Sequence, residues 1–138
     1  MSDCVLDCSA ALPWVFADEA TAGTEALLDN LVKGGHAWVP ALWPLEIANV
    51  MLGAQRRGRI DKAGVEKYLA TLQTLDIEID DDTGALAWNK ILGLGERYGL
   101  TAYDAAYLEL ALRKGLPLAS LDEKLRTACT QAGGRLAL

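Results

Sequence analysis

A single histidine, His36, stands in the whole of the 138-residue chain, and that scarcity closes off much chemistry. Triads built on imidazole and metal centres held by several histidines are both excluded. His36 itself reads as an ordinary turn or strand-edge residue. Cysteine is scarce too: Cys4, Cys8 and Cys129 are an odd number, and Cys4-x-x-x-Cys8 has the spacing of neither a zinc knuckle nor a redox pair, so reduced thiols are expected. Basic residues are outnumbered, 13 Lys and Arg against 19 Asp and Glu, for a net charge of -6. Such a chain does not coat nucleic acid through a broad basic face, and any contact with a phosphate backbone must be local. The scattered glycines form neither a GxxxxGK[ST] nor a GxGxxG phosphate loop. No apolar run approaches the roughly 18 to 20 residues of a membrane-spanning helix. Nor does a basic-then-apolar leader precede the first strand, so a cytoplasmic location is expected.

What is present is a composition 51% hydrophobic, enough for one core, and residues 1–138 are read as a single domain. "CVLDCSA" opens with an apolar strand at Cys4-Val5-Leu6 that turns at Asp7 into Ser9. "EATAGTEALLDNLVKGG" has helical spacing at Ala26, Leu27, Leu31 and Val32 and stops on Gly34-Gly35; "HAWVP" is a second strand. In "WPLEIANVMLGAQRRGR" Pro44 marks a helix start, apolar residues recur at Leu45, Ala48 and Leu52, and Glu46 shares a face with Asn49. Asp61 caps the next helix, through Tyr68, Leu69 and Leu72, before the short strand "LDIEI". A helix carrying Leu86, Ile91 and Leu94 then stops near Gly99. After "LTAYDAAYLELALRKG" come a strand in "LPLASL", a helix in "DEKLRTACTQAGG" and a last strand in "RLAL". Strands alternating with helices make an α/β domain on a mostly parallel sheet, whose ligand site lies beyond the carboxyl ends of the strands.

Four acids fall where a strand yields to a helix: Asp7, Glu46, Asp104 and Asp122. Two carboxylates about 5 Å apart repel by roughly 3 kcal/mol at an effective dielectric of about 20, so four brought together need a counter-charge. No lysine or arginine neighbours Asp7, Glu46 or Asp104 in sequence, and an all-oxygen set suits a hard divalent cation, Mg2+ or Mn2+. Such an ion binds a phosphodiester oxygen, lowers the proton affinity of a bound water and offsets charge in an in-line displacement. A local explanation stands beside this one. Thr101-x-x-Asp104 is a capping-box pattern, Glu46 and Asp122 suit first helical turns, and spacing alone does not choose these four over Asp61 or Asp82.

The motifs "VLDCSA", "PLEIANV", "LTAYDAAYLELA" and "LASLDEKL", in this order and across nearly the whole chain, resemble those of PIN-domain ribonucleases, specifically the VapC toxins of toxin-antitoxin pairs. "LTAYDAAYLELA" is the most specific of them. The resemblance implies a three-layer α/β/α sandwich around a mostly parallel sheet. It implies Mg2+- or Mn2+-dependent endoribonuclease activity, a VapB-like antitoxin that covers the acidic pocket, and a homodimer. Catalytic acids carry over to Asp7, Glu46, Asp104 and Asp122. Asp7, Asp104 and Asp122 are then the metal ligands, with Glu46 acting through water or orienting the attacking one. Ser9 falls where the family has a supporting hydroxyl and is expected to tether a metal-bound water; Ser120 matches a second common hydroxyl. Cys8, between Asp7 and Ser9, is expected to make the site sensitive to oxidants.

"QRRGR" is the densest basic stretch, and Arg56 and Arg57 are candidate substrate-binding residues that steer RNA, or else cations suited to a helix C-terminus. Asp80, Asp81 and Asp82 read as a solvated loop before a helix. Trp14, Trp38, Trp43 and Trp88 read as core or interface rather than as stacking platforms. Two rival functions remain. A phosphotransferase or receiver-type acidic site lacks its second acid, since Ser9 stands two residues after Asp7 and no acid pair precedes it. A non-catalytic RNA-binding PIN module is disfavoured by the presence of all four acids.

Overall fold

Cys4-Val5-Leu6 offers apolar groups to both faces, so a strand here is stable only where layers cover it on each side. In the computed structural model, which describes residues 2–138, it is the strand β1 (Cys4–Leu6), each residue at most 3% exposed. With β2 (Ala37–Val39), β3 (Ile77–Ile79) and β4 (Leu118–Ala119) it forms a wholly parallel sheet in the order β3-β2-β1-β4. Val5 pairs with Trp38 on one side and Leu118 on the other.

Parallel neighbours need long crossovers, and helices supply them. Between β1 and β2 lie α1 (Cys8–Ala11) and α2 (Ala22–Val32); between β2 and β3, α3 (Trp43–Arg56) and α4 (Lys62–Thr74). Between β3 and β4 come α5 (Thr83–Leu86), α6 (Leu92–Tyr98) and α7 (Ala102–Lys114), and α8 (Glu123–Gln131) follows β4. The architecture is the expected α/β/α sandwich. The chain builds outward from β1 to β3, then returns to add β4 on the other side. The crevice beyond the carboxyl ends of β1 and β4 is therefore the switch point at which such sheets bind ligands.

Local chemistry fixes the ends. Asp61 caps α4 by accepting from the Gly64 N–H at 2.7 Å, and Thr101 caps α7 by accepting from the Asp104 N–H at 3.1 Å. Gly99, at φ 66°, ends α6 in the left-handed region, where a Cβ costs about 1 to 2 kcal/mol.

Four expectations are corrected. Leu45, Ala48 and Leu52 have helical spacing, yet α3 buries Trp43, Ile47, Met51 and Ala54 and leaves Leu45 73% and Leu52 50% exposed. The buried set is bulkier, so burying it removes more apolar area from water. The helix expected over Leu86, Ile91 and Leu94 is broken by a π turn at Ala87–Ile91. Residues five apart share a face in such a turn, which brings Leu86 and Ile91 onto one cluster with Ala105. Asp80 is not solvated: at 4% exposure it is gripped by Arg113, with Nη2 2.7 Å from its Oδ2. "RLAL" adds only a bridge, Leu118 to Leu136, instead of a strand.

Candidate active site

Asp7 follows the last residue of β1, and its N–H donates to the Ala119 carbonyl of β4 at 2.9 Å. Its carboxylate, 5% exposed, accepts two hydroxyls on one oxygen: Ser9 Oγ at 2.6 Å and Ser120 Oγ at 2.7 Å from Oδ2. Each hydroxyl accepts a backbone N–H in turn, Leu121 to Ser9 at 2.9 Å and Asp122 to Ser120 at 3.0 Å. Ser9 thus braces the carboxylate itself. Burial pushes the Asp7 carboxyl upward; the Ser9 and Ser120 hydroxyls oppose this, and the charge on Asp122 adds to it.

Glu46 stands in the first turn of α3, and the hydroxyl of the fully buried Tyr107 donates to its Oε1. Burial raises Glu46, Tyr107 pulls it back, and the charges on Asp7 and Asp104 raise it further. Asp104, in the first turn of α7, accepts no side-chain hydrogen bond among the described residues. Burial carries its carboxyl to about 6, helped by Asp122 and Asp7 and opposed by Lys124. Asp122 caps α8, its Oδ2 accepting from the Leu125 N–H at 2.8 Å.

Asp7, Glu46 and Asp104 therefore each feel the charge of one or two of the other acids at the switch point. The set is oxygen-only, and its mutual repulsion is what a divalent cation relieves, so the residues fit Mg2+ or Mn2+. Among the described residues no three acidic, cysteine or histidine side chains already surround one point. Oδ2 of Asp7, Oε1 of Glu46 and Oδ2 of Asp122 are turned to internal donors. Glu46 Oε2, Asp122 Oδ1 and both oxygens of Asp104 accept no side-chain hydrogen bond among the described residues.

Other expectations fare differently. Cys8 is 6% exposed, and burial, then the charges on Glu46 and Asp7, push its thiol up to about 12. The thiolate is the reactive form, and burial and a raised thiol both work against the expected sensitivity to oxidants. Arg56 and Arg57 lie at the far end of α3, about 15 Å along the axis from Glu46 at 1.5 Å per residue. Trp43 is in the core, but Trp88 is 93% exposed. His36 contacts Asp76 at 2.7 Å and lies before β2, at the opposite end of the sheet. Sequence reasoning passed over Tyr107, and it weighed Lys124 only as the late lysine of a receiver-type site. Tyr107 follows Asp104 by three residues, on the same helix face; Lys124 follows Asp122 by two.

The sequence profile of the PIN domain matches residues 4–130. Comparison with curated protein sequences gives no match. Among solved structures, PAE2754 from Pyrobaculum aerophilum is similar at a TM-score of 0.68 and 23% identity, covering 93% of this chain and 87% of that one. A toxin-antitoxin complex from Klebsiella pneumoniae is similar at 0.58 and 18% identity, covering 86% of each chain. FitAcB from Neisseria gonorrhoeae is similar at 0.55 and 17% identity, covering 99% of this chain and 96% of that one. At these identities the likeness is one of fold.

Proposed function

The chain belongs to the PIN-domain family, and from that footing we propose that it is a divalent-metal-dependent endoribonuclease of the VapC toxin kind. The observation that carries this is the gathering of Asp7, Glu46, Asp104 and Asp122 at the switch point of the sheet, with Asp7 braced by Ser9 and Ser120 and Glu46 by Tyr107. Asp7, Asp104 and Asp122 would hold Mg2+ or Mn2+, which supplies a Lewis acid for the phosphodiester and a water of lowered proton affinity. Ser9 and Ser120 fix the Asp7 carboxylate through Oδ2. Tyr107 fixes one oxygen of Glu46, leaving Oε2 to orient the attacking water and accept its proton.

The family assignment removes the receiver and phosphotransfer alternatives, which belong to other families. An antitoxin partner is supported by the toxin-antitoxin complex from Klebsiella pneumoniae and by VapBC2 from Rickettsia felis, bound to a DNA fragment from its promoter. A VapB-like segment would cover the acids, and a net charge of -6 favours a basic one. A homodimer is supported by the exposed stripe Leu45, Ala48 and Leu52 of α3 and by Trp88. Among the described residues no helix is long and apolar enough to cross a membrane, and we place the activity in the cytoplasm, with its RNA.

The test is cleavage of total cellular RNA by purified protein in Mn2+ and in Mg2+, beside Asp104→Asn and an EDTA control. Discrete fragments from wild type alone, abolished by EDTA, are expected. Equal cleavage by wild type and Asp104→Asn would sink the assignment.

A further inference from the structure

Four carboxylates repel the polyanion they are meant to cut, and a metal ion offsets that only at the bond it touches. The flanking phosphates need a cation of their own. Lys124 follows Asp122 by two residues and is the cation nearest in sequence to the four acids. It stands in the first turn of α8, exposed, and forms no ion pair among the described residues. Across the crevice lies the turn at Gly99, where a built Cβ would sit 4.0 Å from both Cε and Nζ of Lys124.

Lys124 also lines a cavity of about 320 Å3 with Tyr98, Glu123, Thr127, Ala128 and Gln131. That volume falls at the lower end of the roughly 300 to 1,000 Å3 usual for small-ligand pockets. Its lining is what one nucleotide of a single strand requires. An ammonium binds phosphate, a phenol ring stacks on a base, and a hydroxyl and a carboxamide meet base edges. Glu123, beside Lys124 in the first turn of α8, is the opposing charge in the lining. The Arg97 guanidinium lies over the Tyr98 ring, 5.5 Å from its centroid, and helps hold the ring in place.

Resting on the nuclease reading, we propose that this cavity seats the nucleotide adjoining the scissile phosphodiester, with Lys124 on its phosphate, Tyr98 against its base and Gln131 at the base edge. Lys124 is a substrate-binding residue in this scheme, not a counter-ion for the acids.

The experiment is steady-state cleavage of a fluorogenic single-stranded RNA of mixed sequence in Mn2+, over a range of KCl, for wild type, Lys124→Ala, Lys124→Arg and Gln131→Ala, with Asp104→Asn in parallel. Lys124→Ala is expected to raise KM by about tenfold, as loss of one charge-assisted contact implies, with kcat close to wild type. The slope of log(kcat/KM) against log[KCl] should flatten by about 0.7, the value for one phosphate on a single strand. Lys124→Arg restores the slope, and Gln131→Ala changes the base preference at one position of the cleavage site. An unchanged salt slope overturns the proposal. So does a loss confined to kcat that excess Mn2+ repairs, because Lys124 would then serve the acids. An unchanged base preference for Gln131→Ala removes the base seat. Failure of wild type itself to outpace Asp104→Asn brings down the nuclease reading, and is told apart from the others by that control.

Discussion

Two hydroxyls meeting on one oxygen of Asp7 decide which way that acid faces. Ser120 is fully buried and also accepts the Asp122 N–H, so Ser120→Ala leaves that N–H without its acceptor and Asp7 Oδ2 with Ser9 alone, and should cost about 1 to 3 kcal/mol. Denaturant melts should register that loss, and cleavage should fall with it. Asp104 carries a pH signature. Its carboxyl is raised to about 6 in the folded protein, against about 3.9 unfolded, so between those values the folded state binds more protons. Stability of the metal-free protein therefore falls as pH rises from about 4 to about 6, then levels off. After discounting for partial exposure, Asp104→Asn should be about 1 kcal/mol more stable than wild type at pH 7 in EDTA, with the gap closing at pH 4. Thermal melts check this, and saturating Mn2+ should reverse the order, because only wild type keeps the full ligand set. The strand-to-helix boundaries that carry the four acids were legible in turn and cap residues, but only the resemblance of the motifs chose these four over Asp61 or Asp82. Asp80 was not legible, since its partner Arg113 is 33 residues away in the chain and only the tertiary fold brings them together.

At the scale of elements, Arg113 ties α7 to the end of β3. It binds Asp80 at 2.7 Å and Glu109 at 2.9 Å, both 4% exposed. Arg113→Ala leaves two carboxylates buried without a cation and should destabilise by about 3 to 5 kcal/mol. The exposed pair Lys33–Asp29, at 2.8 Å, is the control: Lys33→Ala should cost under about 1 kcal/mol. A melt of the two variants side by side separates the cases. Element order, strand positions and most helix ends followed from periodicity and caps. The face of α3 did not, because two apolar stripes share its helical period and the choice between them depends on what packs opposite. The π turn was equally hidden, since one added residue leaves the composition of the helix unchanged while shifting its facing by a fraction of a turn.

On the scale of the whole molecule, the apolar stripe of α3 predicts association. Replacing Leu45 and Leu52 by Asp together touches no buried residue and should turn a dimer into a folded monomer, read by analytical ultracentrifugation alongside circular dichroism. A wild type that is already monomeric would count against the homodimer. The sheet order has a consequence in time as well as in space. Asp7 is held by Ser120, 113 residues later, and Asp122 comes after both, so the crevice is stitched from the first and last parts of the chain. A ribosome adding roughly 5 to 20 residues per second releases Asp7 and Glu46 many seconds before β4 exists to brace them. The proposed nuclease stays silent throughout its own translation, and an antitoxin already present can meet it at the moment the last strand falls into place.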